Sequence, residues 1–339
     1  MISIIICSQK TTLDEQLKAN IRSTIGKVEY ELVVIDNSQG KYNIFEAYNW
    51  GVSQSKGDCL CFMHEDVLFH SQNWGIAIET HLSQSFVGAI GLAGGNVILP
   101  ELDWRFYGFA QMHLIQGNLT VEEHPKYYHT YIPNDSQIAL SQVAAIDGVW
   151  MCMRKQLFEK IRFDDTTFHG FHLYDTDICM QINALGLGVF VTYDVLLEHK
   201  SEGVFSENYR ESLAAFKKKW ETSLPFMKGA IVSNDKIMNA MEKARPYFEN
   251  RLSHDALVIS IRNISALKAS GKPCRAYTAD EKELIDESMF RYRKDCIKDR
   301  SISHSNAWIL VKEYLHLPFA SRKYSLFFKF IWYRYLLFK

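Results

Sequence analysis

Apolar residues in the first two hundred positions fall into short unbroken runs separated by stretches of helical period. Ile2 to Ser8 is a β-branched run, and Tyr30 to Ile35 is a second. The third, Cys59 to Val67, passes straight through the acids Glu65 and Asp66 before Val67, Leu68 and Phe69 resume the apolar pattern. Such runs read as strands buried on both faces, the kind found in parallel sheets. Between the first two, Leu13, Leu17, Ile21 and Ile25 form a helical stripe behind a capping box of Thr12 and Glu15, and Gly26 ends it. A second helix is predicted from about Asn43 to Ser55, closed by Gly57. Strand, helix, strand, helix, strand at this spacing is a βαβαβ unit around a parallel sheet.

The pattern continues with a helix over 73–84, a strand over 87–93 ending in Gly94-Gly95, and a strand over 142–146 ending in Asp147-Gly148. A short helix is predicted over 155–161 and a longer one over 174–185, with Asp175 and Asp177 in its first turn, Gly186 as its cap and a strand over 189–193 beyond. Residues from about Pro100 to Asn134 lack periodicity and hold Trp104, Tyr107, Tyr127, Tyr128 and Tyr131, as a functional or mobile loop would. Beyond about residue 207 the character changes. A basic amphipathic helix over 208–222 carries Lys217, Lys218 and Lys219, and more helix follows, with a capping box at Thr278 and Glu281. The division expected is an α/β domain over 1–206 and a helical extension over 207–339.

A formal net charge of −1 on 339 residues excludes a global field for nucleic acid. Seven scattered cysteines without a Cys-x-x-Cys pair fit reduced thiols in a cytoplasmic setting. The N-terminus has no basic region ahead of its apolar run, so no signal peptide is expected. Neither G-x-G-x-x-G nor a P-loop motif follows the first strand, which disfavours a dinucleotide fold or a P-loop nucleotide site.

Acids at strand ends give the candidate chemistry. In open α/β sheets the carboxyl ends of strands are where ligands sit. Carboxylates at the tip of a buried strand call for a cation nearby. Glu65 and Asp66 therefore mark either a metal or phosphate site or an acidic loop. Asp36-Asn37-Ser38 is a strand tip or simply a turn. Asp175 and Asp177 suit the positive end of a helix whatever their function. His199 is either a metal ligand or a hydrogen-bonded histidine after a strand.

In this order the motifs resemble those of a family-2-type glycosyltransferase of the GT-A fold, over about residues 1–205. The matching pieces are the first strand ending in Cys7-Ser8, the second ending in Asp36-Asn37, Asn49-Trp50-Gly51, the third ending in His64-Glu65-Asp66, Asp147-Gly148, and Tyr174-Asp175-Thr176-Asp177. The resemblance implies a mostly parallel sheet flanked by helices and an inverting transfer of a sugar from a nucleotide-diphosphate donor to an acceptor hydroxyl, on a glycan or lipid-linked acceptor. It implies donor contacts at Cys7, Ser8, Asp36, Asn37, Asn49, Gly51, His64 and Glu65. It places Asp147, Gly148 and Asp177 on the acceptor side, and Asp175 as general base. A divalent cation, Mn²⁺ or Mg²⁺, would be held by Asp66, with His199 a second ligand better suited to Mn²⁺. Two positions depart from the family pattern: His64 stands where its metal motif begins with Asp, and Tyr174 stands where its helix motif begins with an acid. A catalytically impaired nucleotide- or carbohydrate-binding module and a sugar-phosphate nucleotidyltransferase are the alternatives. The tail from Lys323 to Lys339, rich in aromatics and interrupted by Lys329 and Arg334, is either a packed helix with snorkelling cations or a weak, salt-sensitive peripheral contact with an inner membrane surface.

Overall fold

The structure is a computed structural model that describes residues 1–98, 110–116, 140–201, 207–229, 304–316 and 320–336, with individual helical positions between 279 and 298. The aromatics expected in the loop over 100–134 and the capping box at Thr278 and Glu281 lie outside these residues. In chain order come β1 (Ile2–Ser8), α1 (Glu15–Thr24), β2 (Tyr30–Asp36), α2 (Ile44–Gln54), β3 (Cys59–Met63) and β4 (Val67–Phe69). Next are α3 (Trp74–Leu82), β5 (Val87–Gly91), β6 (Ala93–Gly95), β7 (Val97–Ile98), β8 (Ala110–Met112) and β9 (Leu114–Gln116). The first core is completed by β10 (Leu140–Val143), β11 (Ala145–Ile146), β12 (Trp150–Arg154), α4 (Tyr174–Ala184), β13 (Gly188–Thr192), β14 (Leu197–His199), α5 (Glu207–Lys219) and β15 (Phe226–Met227). Two further helices are α6 (His304–Leu315) and α7 (Lys323–Ile331).

A seven-stranded sheet in the order β10-β13-β5-β12-β3-β1-β2 forms the centre. Parallel pairing joins β3, β1 and β2, as the βαβαβ pattern requires, and also β13 with β5. The departures are β12, which runs antiparallel between β3 and β5, and β10, which runs antiparallel to β13, so the sheet is mixed. The β12 sequence, Trp-Met-Cys-Met-Arg, has no β-branched residue, and the pattern gave no signal for it. It is nevertheless fully buried from Trp150 to Met153, and its insertion sets the distance between the two parallel halves.

Burial follows the apolar pattern closely. Ile2, Ile4, Ile5 and Ile6 are inaccessible on both faces of β1, each such side chain contributing about 1.5–3 kcal/mol. The α1 stripe of Leu13, Leu17, Ile21 and Ile25 is buried as expected, but the cap is Asp14, whose side chain accepts from the Gln16 N–H at 2.7 Å, in place of Thr12. Asn43 and Glu46 form a capping box for α2. Helix α5, just beyond the boundary expected after residue 206, packs its Tyr209 and Phe216 into this first core. A second apolar cluster joins α6 to α7 through Leu310, Val311, Tyr314, Leu326 and Phe330, and Asp286 ties it by accepting from the Tyr314 hydroxyl and from Ser321 Oγ at 2.6 Å.

Gly51 belongs to packing. A Cβ at this position would come within 2.4 Å of Ile5 Cγ2, so the glycine lets α2 lie close on β1. Gly51→Ala should therefore lower unfolding free energy by about 1–3 kcal/mol through overpacking, read from urea denaturation. An unchanged midpoint would return Gly51 to the list of ligand contacts.

Candidate functional site

The site forms where the chain leaves the central sheet between β3 and β4. The His64 N–H still bonds the Val149 carbonyl at 3.0 Å, whereas Val67 already pairs with His199 in a second sheet of order β4-β14-β9. Across the bend at residues 65 and 66, His64 and Asp66 reach His199 on β14, and Glu65 turns to the end of β1. Nδ1 of His64 lies 3.2 Å from Nε2 of His199, which is 3.5 Å from Oδ1 of Asp66. The three side chains can offer ligand atoms that all lie within 4.8 Å of one another. Burial works against the Asp66 charge, but His199, the Ser201 N–H at 3.1 Å and His64 hold its carboxyl well below the usual range. Two imidazoles and an ionised carboxylate fit Mn²⁺, which accepts imidazole more readily, better than Mg²⁺, which prefers oxygen.

His64 is held from behind. Its Nε2 lies 3.0 Å from the Tyr174 hydroxyl, which leaves Nδ1 turned to His199. Tyr174 opens α4 after Leu173, a non-glycine residue at φ +66, a strained entry that costs on the order of 1–2 kcal/mol. The ring sits among Phe45, Tyr48, Phe163 and Phe171, with centroids 5.5–6.3 Å away. It also lies directly over Gly148, where a Cβ would meet the phenol oxygen at 1.9 Å. The Gly148 N–H donates to Oδ2 of Asp175 at 3.1 Å, while Oδ1 accepts from the Thr176 N–H at 2.7 Å. Asp175 is buried, one residue along the helix from the tyrosine that positions His64.

Other predicted residues divide between the site and its frame. Asp36 stands exposed at the tip of β2, its carboxylate accepting from the Ser38 N–H at 3.0 Å, and that bond lowers it from its ordinary value. Ser8 and Glu65 meet at the end of β1: Ser8 Oγ donates to Glu65 at 2.5 Å and the Gln9 N–H donates at 2.9 Å. Glu65 thus braces the first strand and lies outside the His64, Asp66 and His199 cluster. Burial pushes the neighbouring Cys7 thiol up to about 11, against an opposing hydrogen bond from Asn37, so it stays protonated.

Four of the expected site residues have partners within the fold. Asn37 closes its own loop through two bonds to the Tyr42 backbone, at 2.8 and 2.9 Å. Asn49 pins residues 163–165, donating to the Phe163 carbonyl at 2.7 Å and to Asp165 at 3.0 Å, and Gly51 is a packing residue as above. Asp177 is engaged by α5. Its buried carboxylate takes Lys219 Nζ at 2.8 Å, the Trp220 indole N–H at 2.8 Å and the Gln181 amide at 2.8 Å. Burial raises its carboxyl above the ordinary value, with Lys219, Trp220 and Gln181 opposing. Lys219 also bonds Asp164 at 2.7 Å, so it latches α5 to α4 and to the segment before it. Asp147 caps the turn after β11 by accepting from the Val149 N–H at 2.9 Å, beside Gly148.

Tyr174 and Phe171 are the residues that sequence reasoning missed. Phe171 is half exposed and lies 5.7 Å from the His64 ring, forming an apolar wall at the mouth of the cluster. A usable signal existed for Tyr174: the two positions that depart from the family pattern, His64 and Tyr174, are hydrogen-bonded to each other.

A family model described as "Glycosyltransferase like family" matches residues 3–220. No curated protein sequence matches the chain. Among the solved structures that resemble it are A197 from STIV, at 11% identity and TM-score 0.35, over 59% of this chain and 86% of that one. Another is GalNAc-T7, solved with UDP, GalNAc and Mn2+, at 11% identity and TM-score 0.44, over 77% of this chain and 53% of that one.

The latch yields two predictions. Lys219→Met leaves Asp177 buried without its cation and should cost about 3–5 kcal/mol, measured by denaturant unfolding. Burial opposes ionisation of Asp164 as well, yet Lys219, Thr166 and Thr167 hold its carboxyl well below the usual range. As pH falls, the unfolded chain, with a carboxyl near ~3.9, is therefore protonated first. The stability from this group is complete above about pH 4 and is lost as pH drops from there toward the folded-state value. Asp164→Asn should flatten the acid limb of a stability–pH curve, and an unchanged limb would refute the assignment.

Proposed function

This chain belongs to the glycosyltransferase-like family, and on that premise we propose that it transfers a sugar from a nucleotide-diphosphate donor to an acceptor hydroxyl with inversion. The observation that carries the reading is the His64, Asp66 and His199 cluster at the end of β3. Two histidines and one carboxylate also suit ferrous oxygenases; the family and the neighbouring strand-tip acid Asp36 favour a diphosphate metal. A divalent cation bound by these three residues would stabilise the charge that grows on the departing diphosphate.

The chain's own residues supply the rest. Tyr174 orients His64 so that Nδ1 faces the cluster, a positioning role of the kind that raises metal affinity by fixing a ligand ring. Asp36, exposed beside the end of β1, can accept from a base ring N–H; uracil, thymine and guanine carry one, and cytosine and unmodified adenine do not. Asp175 is the general base, since Asp177 is committed to Lys219 and Trp220. A single in-line displacement needs one carboxylate to take the acceptor proton. Phe171, beside His64, offers a face against which an acceptor sugar can pack.

A second reading, a nucleotide-binding module without turnover, is favoured by the burial of Asp175 and by the hydrogen bonds on both of its oxygens. Donor hydrolysis by the purified protein separates the two.

Asp175→Asn should leave nucleotide affinity unchanged and lower turnover by ~10²–10⁴; near-normal turnover would remove the assignment. A thermal-shift panel of nucleoside diphosphates with Mn²⁺ or with EDTA tests the cluster, because a ligand that binds only the folded state raises Tm by mass action. UDP or GDP should stabilise in Mn²⁺, CDP should not, and His199→Ala should erase the Mn²⁺-dependent part. Tyr174→Phe should weaken Mn²⁺ affinity by ~10-fold or more while the nucleotide ranking is kept. Equal shifts in Mn²⁺ and EDTA for the parent protein would take the metal out of the reaction.

A further inference from the structure

Helix α7 presents a surface that the transfer reaction does not use. On one side Leu326 and Phe330 are buried against α6. On the other, Tyr324, Phe328, Trp332 and Leu336 are each 54–66% exposed. They recur every four residues along α7 and the π-helical turn that extends it, so they form one continuous stripe. Isolated exposed apolar residues are ordinary, but a row of three aromatics and a leucine marks an interaction surface. Beside it, an open groove of about 660 Å³ between α6 and α7 is lined in part by Trp308, Phe327 and Phe330, and by Tyr335, whose hydroxyl lies 2.6 Å from His304 Nε2.

Charge identifies the partner. From Tyr314 to the C-terminus the sequence holds no Asp or Glu and five cations, Arg322, Lys323, Lys329, Arg334 and Lys339. At about 100° per residue Lys329 falls on one flank of the stripe, and on the other Lys323 Nζ lies 5.6 Å from the Tyr324 ring, while Arg334 is tied to the Ile297 carbonyl through its Nε at 2.7 Å. What looks scattered in the sequence is thus an aromatic face with basic margins. Tyrosine and tryptophan favour the level of lipid headgroups, and basic margins favour anionic ones. We propose that this face seats the protein on an anionic membrane surface, with α7 lying in the interface. A second copy of the chain fits poorly, because apposing the face with itself would bring cations together. No helix among the described residues is long and apolar enough to cross a membrane, which agrees with a helix lying on the surface.

The test is flotation of the full chain with vesicles of phosphatidylcholine alone or mixed with phosphatidylglycerol, at low and high salt. The parent should float with the mixed vesicles at low salt, and much less with phosphatidylcholine or at high salt. Phe328→Ser combined with Trp332→Ser should reduce partitioning ~10-fold or more with no change in Tm, since both side chains are exposed. Lys323→Gln combined with Lys329→Gln should reduce it by a similar factor, each cation near an anionic surface being worth roughly five-fold. Should the serine variant fail to fold, brominated lipid decides on the folded parent: it should quench tryptophan fluorescence, and the quenched fraction should drop in Trp332→Phe. A parent that stays in the supernatant at low salt, a folded serine variant that floats like the parent, or quenching that is unchanged in Trp332→Phe overturns the proposal. So does sedimentation velocity showing a dimer that the serine variant abolishes.

Discussion

The contact on which the candidate site depends is that of the Tyr174 ring with Gly148. Only a residue without Cβ lets the phenol lie over the turn after β11, since any side chain would overlap the ring. From that position the hydroxyl reaches His64, and the same glycine's N–H reaches Asp175. A strained Leu173 and an aromatic surround hold the ring in place. Packing of this density has few alternative arrangements, so His64 and the proposed base are fixed relative to each other by one ring and one turn.

A second constraint is the change of sheet between β3 and β4. Because the chain leaves one ladder and enters another within three residues, His64 and Asp66 are presented on the side where β14 brings His199, and Glu65 is left to brace the end of β1. A strand continuing in the central sheet would have no reason to bring β14 alongside. The latch formed by Lys219, Asp164 and Asp177 performs a related task at the far side of α4, anchoring α5 through a cation whose partners are mostly buried. It resembles catalytic machinery in composition, but every donor and acceptor in it is engaged in holding helices together.

Much of this protein was determined by the order of its residues alone. The β-branched runs at 2–8 and 30–35, with a helical stripe between them, can bury their apolar surface only as parallel strands with a crossover, and the β3-β1-β2 half of the sheet follows. Acids at strand ends require cations or hydrogen bonds wherever they sit, so Asp36 and Asp66 were legible as candidates. Tertiary structure decided what each polar residue is for. Asn49 and Asp177 belong to motif positions of the right type, yet Asn49 bonds a segment more than a hundred residues away and Asp177 bonds a lysine on α5, partners that no local pattern contains. Strand β12 was invisible because its five residues include no β-branched side chain and are too few to show a period, and its place comes from the ladders on either side. His64 and Tyr174 looked like two separate departures from a family pattern. They are one interaction, because a hydrogen bond between residues 110 positions apart exists only once the sheet has closed around it.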